Sequence, residues 1–182
     1  MGGYRYDFAA NGVLDLSGEG PPVVPTEFVS VRTRNDRART RTVRFEPDGT
    51  VATIDVPAPG RAPDLPAPHL LAGSVDPIAA AVWLAARIDS GEGCEVVLPV
   101  YDGRRRYDLV VADRGLRSLS VSGVQGYQGQ AQLCTLRLSL IAGEFDDDGT
   151  GDERMRVMDI YFARPVAGGP VLPVRAEADS EV

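Results

Sequence analysis

With 182 residues, 43% of them hydrophobic and 25% charged, the chain has room for one domain with a sizeable core and the composition of an ordinary globular protein. Its 19 basic residues, all arginine, face 26 acidic ones for a net charge of −7, a balance that repels nucleic-acid phosphates and anionic lipid headgroups. No apolar run approaches the ~18 residues of a membrane-spanning helix, so no membrane span is expected.

Exclusive use of arginine fits GC-rich coding and points to a bacterial source. The opening M-G-G-Y-R-Y-D-F contains no apolar h-region, so no leader is expected at this end. The stretch 2–9 has strand character, with Tyr4, Tyr6 and Phe8 on one face. A Gly- and Pro-rich loop follows at 18–25, and residues 27–34 alternate as a second strand. Two arms, 40–46 and 50–56, flank Pro47-Asp48-Gly49 and predict a hairpin with a three-residue turn. The proline-rich segment 57–73 reads as an extended connector, long enough to be a functional loop or a surface strap.

The strongest helix signal lies at about 77–89. Asp76 suits the N-cap and Pro77 the first helical position, and Ser90-Gly91-Glu92-Gly93 ends the helix. Its apolar residues, Trp83 among them, cover nearly every side, so it should be packed on most faces. A hairpin signal comes next. Arms 94–101 and 104–112 flank Asp102-Gly103, a preferred type I′ pair, and place Cys94, Val96, Leu98, Tyr107, Leu109 and Val111 on one core-facing side. Pro99 cannot donate to a ladder, so its strand should be an edge or carry a bulge. Residues 130–141 form the longest alternating run, with Cys134, Leu136, Leu138 and Leu140 sharing a face. An acidic turn at 144–153 separates it from a strand at 155–163, with Met158, Ile160 and Phe162 inward, and a last strand-like piece spans 170–177. These elements predict a mainly β fold: an antiparallel curved sheet or half-barrel with one short packed helix at about 77–89. A single β-rich domain is expected over residues 1–177, with a polar tail at 178–182 that frays.

Little in the chain suggests catalysis. Cys94 and Cys134 both fall on core-facing sides, a placement shared by a disulfide and by two buried thiols. Their spacing excludes a CxxC redox motif, and two cysteines with one histidine make no zinc site. His69, the single histidine, sits in the proline-rich connector without ligands at metal-binding spacing, so no metal and no cofactor is expected. The acidic turn Asp146, Asp147, Asp148, Asp152 and Glu153 misses EF-hand spacing and reads as a solvated turn, with a weak cation site as the alternative. Arg104 and Arg106 share an outer strand face, either as solvated residues that discourage edge pairing or as a contact for a carboxylate or phosphate. Trp83, Leu98, Tyr107, Leu136 and Phe162 are core residues in the plain reading and the lining of a ligand space in the sharper one.

Asp76-Pro77, the cysteine ahead of a strand, V-Y-D-G-R-R-R-Y-D-L at 100–109, Cys134, and the late I-Y-F-A-R-P and V-L-P-V-R runs resemble the bacterial domain of unknown function 3108 family over roughly 31–175. The resemblance implies export to the Gram-negative envelope and an antiparallel β fold similar to lipoprotein carriers. It also implies that Cys94 and Cys134 pair and that Asp102-Gly103 is a structural turn; it carries no activity. The expectation is a non-enzymatic periplasmic protein that binds an apolar small molecule or lipid, or an envelope protein partner. The alternatives are an assembly protein working through the Pro99 edge and the Arg104/Arg106 face, a hydrolase using Asp and Glu, and a cytoplasmic location.

Overall fold

The computed structural model describes residues 4–15, 23–34, 37–55, 65–120, 126–143 and 157–178. Among these, nine strands and one α-helix follow in chain order: β1 (Tyr4–Leu14), β2 (Val23–Arg34), β3 (Arg37–Phe45), β4 (Val51–Asp55), α1 (Pro77–Asp89), β5 (Val96–Tyr101), β6 (Arg106–Leu119), β7 (Gly129–Ala142), β8 (Val157–Ala163) and β9 (Leu172–Ala178). A 3-10 turn, Pro68–Leu70, precedes the helix. The expected mainly β, antiparallel architecture with one helix is present, but its strands are divided between a four-stranded sheet, β1-β2-β3-β4, and a five-stranded sheet, β5-β6-β7-β8-β9. Each strand sits beside its sequence neighbour, as short connections favour. Among the described residues no closed barrel forms. The expected acidic turn at 144–153 and the tail from 179 onward lie outside the described residues.

The chain divides into two compact units. The first comprises 1–80, 99–107 and 140–144; the second comprises 81–98, 108–139 and 145–182. The first holds the four-stranded sheet. Its core is Phe28, Val43, Phe45, Leu71 and Tyr101, with Ala10 and Val51 packed against it, and the Tyr101 hydroxyl lies 2.7 Å from the Thr53 hydroxyl. The β3–β4 hairpin closes as its Pro47-Asp48-Gly49 turn predicts. Glu46 N donates to Thr50 O, and Thr50 N donates to Asp48 Oδ1. In β1 the register slips at Asn11/Gly12, where a Cβ on Gly12 would stand 2.7 Å from Val24 O, so only glycine fits.

The helix begins as the sequence requires. Asp76 Oδ1 accepts from Ile78 N and Ala79 N, both at 2.9 Å, satisfying two amides that the first turn leaves open. It ends with Gly91 N donating to Ile88 O and Glu92 N to Arg87 O, with Gly91 at a positive φ that costs glycine little. Ala79, Ala80 and Leu84 are buried. Trp83 is half-buried, with the Arg87 guanidinium 5.1 Å above its ring, one helical turn away.

Three details differ from expectation. The β5–β6 turn closes later than the Asp102-Gly103 pair implies. Asp102 N donates to Arg105 O, and Asp102 Oδ1 accepts from both Arg104 N and Arg105 N, so Gly103-Arg104 forms the corner. The carboxylate of Asp102 takes the Arg104 amide that a plain type I′ turn would give to the Tyr101 carbonyl, and the Arg105 amide as well, and so shifts the corner. Second, β5 is an edge strand, as Pro99 implies, yet the edge is not bare there. Val75 N donates to Pro99 O and Tyr101 N donates to Val75 O, so Val75 makes a parallel bridge beside Val100. Third, the alternation of β7 does not hold Leu140 in the core: it is exposed, as is Ile141. Among the described residues, β8 pairs with β7 from Gln132 to Arg137, short of Leu140 and Ile141.

The five-stranded sheet is apolar on both faces within the second unit. Leu133 faces Tyr161 and lies on one side, whose buried cluster is Leu119, Ala131 and Ala163 with Tyr127, Tyr161 and Val174 around it. On the other side Gln132 opposes Phe162, Cys134 opposes Ile160, and Leu136 opposes Met158. Leu136 and Phe162 are buried there.

Candidate functional site

Cys94 and Cys134 form a disulfide, with 6.2 Å between their Cα atoms and neither residue exposed. The bond fastens the segment before β5 to the middle of β7. A second fastening holds the same residue through its backbone: Cys94 N donates to Asp113 Oδ2 at 3.2 Å. The other oxygen, Asp113 Oδ1, accepts from Gly115 N at 2.7 Å and from the Gln132 amide. One carboxylate of β6 therefore ties together the approach to β5, the Gly115 amide of β6 and a side chain of β7.

The residues singled out for a ligand space are dispersed in burial and role. Leu98, Leu136 and Phe162 are buried core side chains, while Trp83 and Tyr107 are half-buried. The Tyr107 phenol is pushed well above its ordinary value of 10, first by burial and then by the nearby Asp102 carboxylate, with Arg105 pulling the other way and Asp76 adding to the rise. Asp76 itself is fully buried, and its carboxyl is raised above the usual 3.8 because burial outweighs the bonds from Ala79 and Ile78. Its second oxygen, Oδ2, and the buried hydroxyl of Ser74 find no hydrogen-bond partner among the described residues.

Of the three consecutive arginines, the middle one makes a defined ion pair: Arg105 meets Asp102 Oδ2 at 2.8 Å. Arg104 and Arg106 are half-buried and engaged in interactions of their own. His69 is exposed within the 3-10 turn.

The arrangement with the most binding chemistry is on the four-stranded sheet, and sequence reasoning did not assemble it. The strand registers place Tyr6 opposite Arg32 and Arg32 opposite Arg39; Phe8 opposite Ser30 and Ser30 opposite Arg41; Ala10 opposite Phe28 and Phe28 opposite Val43. All of these share one face. Along it the aromatic rings stack in a row: Phe28 to Phe8 at 6.1 Å, then Phe8 to Tyr6 at 6.3 Å. Phe28 belongs to the core at 1% exposure, whereas Phe8 and Tyr6 are 58% and 53% exposed. The Arg32 guanidinium stands 6.0 Å from the Tyr6 ring centre. The core thus continues outward as an open aromatic strip bordered by three arginine positions, with Asp55 opposite Arg41 as the acidic position in the described pairing. Alternation in β1 revealed Tyr6 and Phe8 as neighbours on a face. The arginines come from β2 and β3, and no local signal gives the registers that bring them alongside.

Comparison with known families finds one match, described as a protein of unknown function (DUF3108), over residues 7–182. The chain belongs to the DUF3108 family. Within this DUF3108 chain the match runs from β1 through β9 and includes both cysteines, the Asp76-capped helix and the Asp102 turn. No curated protein and no solved structure gives a significant match. No helix among the described residues is long and apolar enough to cross a membrane.

Proposed function

We propose that this DUF3108 protein is a non-enzymatic binding protein of the bacterial envelope, and that the aromatic strip of its four-stranded sheet receives an amphiphile with an anionic head. The observation that carries this reading is the stacked row Phe28–Phe8–Tyr6, which leads from a packed core to solvent. Two large rings left more than half exposed are costly to solvate, and covering them recovers roughly 25 cal/mol per Å² of apolar surface before ordering costs. Arg32, Arg39 and Arg41 on the same face supply the charge that would select a carboxylate or phosphate head, even though the whole chain carries −7. The disulfide supports the envelope location, because such bonds persist in oxidising compartments.

The test is native mass spectrometry of the purified protein, followed by titration with a fluorescent fatty acid. A co-purifying amphiphile, and binding weakened by Phe8→Ala and by Arg32→Ala, are the expected results. Protein that carries no lipid and takes up no probe would remove the reading. The assembly alternative at the Pro99 edge is less favoured, because Val75 already occupies the backbone groups there. A hydrolase using Asp and Glu would gain support from a cleft joining His69 to two acids; His69 is exposed on a 3-10 turn.

A further inference from the structure

Among the described residues β1 is the outer strand of the four-stranded sheet, so one row of its backbone amides and carbonyls has no neighbouring strand there. It is 11 residues long. From Arg5 to Leu14 every residue except Ala10 is exposed. It contains no proline and no lysine, the usual means of blunting such an edge, and its bulge lies in the second half, at Asn11/Gly12. The first half, Tyr4 to Phe8, is regular strand with a polar face and an aromatic face. On the polar face Arg5 Nε lies 3.0 Å from Asp7, with both side chains well exposed.

We propose that this edge is completed by β1 of a second copy, antiparallel, with Tyr6 opposite the second copy's Tyr6. Symmetry restricts the options. Two identical antiparallel edges are related by a two-fold axis normal to the sheet, which keeps like faces together. Directly opposite residues must then share a face, so the register moves only in steps that place one residue opposite itself. Centring on Arg5 sets two guanidiniums against each other, and centring on Asp7 sets two carboxylates against each other. Centring on Tyr6 sets each Arg5 opposite the other copy's Asp7, twice by symmetry. The existing Arg5–Asp7 pair within each strand then becomes one side of a four-membered ring of alternating charge. On the opposite face the two Tyr6 rings meet near the axis, flanked by Phe8, and the aromatic strips of both copies join on one side of a continuous eight-stranded sheet.

This proposal does not depend on the ligand reading, because it rests on the polar face of β1 and on backbone groups. The experiment is sedimentation velocity on the whole purified chain over a range of concentrations, with circular dichroism to verify folding. Wild type forms a dimer. Arg5→Asp and Asp7→Arg each place like charges opposite one another and weaken the dimer by on the order of tenfold or more in Kd. The double variant Arg5→Asp/Asp7→Arg restores opposite charges in the same register and regains the dimer. A wild-type protein that stays monomeric at every concentration overturns the proposal, as do single variants that dimerise undiminished or a double variant no better than either single one.

Discussion

The two sheets of this protein have opposite relations to solvent. The five-stranded sheet has buried residues on both faces and is stapled by a disulfide, and its proline-bearing edge is occupied by Val75. The four-stranded sheet buries one end of one face against Leu71 and Tyr101, with Ala10 of β1 packed there, and leaves the other residues of β1 from Arg5 to Leu14 exposed. Similar side chains are used to different ends. Phe162 in the first sheet is 2% exposed and serves as packing, while Phe8 in the second is more than half exposed and stacks on a core it does not enter. The contrast separates packing from exposure: the five-stranded sheet carries buried side chains on both faces, and the four-stranded sheet presents apolar surface that folding leaves uncovered.

The sharpest test of this division is a matched pair of truncations. Phe162→Ala should cost about 3–5 kcal/mol of unfolding free energy, because it empties a filled position between packed strands. Urea denaturation would measure it, and a loss below ~1 kcal/mol would mean that the five-stranded sheet is not the rigid half. Next in size is the disulfide. The cysteines are 40 residues apart, and for a loop of that length the chain-entropy model gives about 4 kcal/mol as an upper expectation. Denaturation with and without reductant reads it directly, and intact oxidised protein should have a mass two units below the reduced form.

A smaller effect, tied to pH, tests the helix start. Asp76 has its carboxyl raised by burial above 3.8. The folded protein therefore holds the proton more tightly than the unfolded chain. The resulting contribution to stability is full below the unfolded value and is lost as pH rises through the folded one. Asp76→Asn keeps a capping oxygen but cannot titrate. The stability of wild type relative to Asp76→Asn should fall as pH rises from below 3.8 through the higher folded value, and parallel curves would refute the sign. Asp76→Ala, which removes the cap, should cost about 1 kcal/mol at any pH. Smallest of all is Phe8→Ala, expected to leave stability within about 0.5 kcal/mol because the ring is exposed. If it instead destabilised the protein as Phe162→Ala does, the division between the two sheets would collapse.

Much of this fold was legible in the sequence wherever local chemistry decides structure. Asp76-Pro77 fixed the helix start, Ser90-Gly91 its end, and Pro47-Asp48-Gly49 a turn, because each acts through backbone groups within a few residues. Cys94 and Cys134 were placed on core-facing sides by alternation, and the structure joins them. The division into two sheets was not legible, since alternation says which residues share a face and not which strands pair. The Val75 bridge escaped notice for a related reason: a single residue pairing beside a proline edge leaves no periodic trace. No local pattern singles out the arginines of β2 and β3, and only the register places them beside the aromatic strip. Asp102 misled differently, because its side chain captured two amides and moved the corner of a turn whose presence was correctly expected.

The double hold on Cys94 bears on how the protein matures. Asp113 grips the amide of that residue independently of its sulfur. Asp113 also holds the Gln132 amide, two residues before Cys134, so one carboxylate brings Cys94 and the strand carrying the other thiol to the same place. With only two cysteines in the sequence, a single intramolecular connectivity exists. Oxidation would then seal an arrangement the backbone has chosen, with no mispaired isomer for a shuffling enzyme to correct.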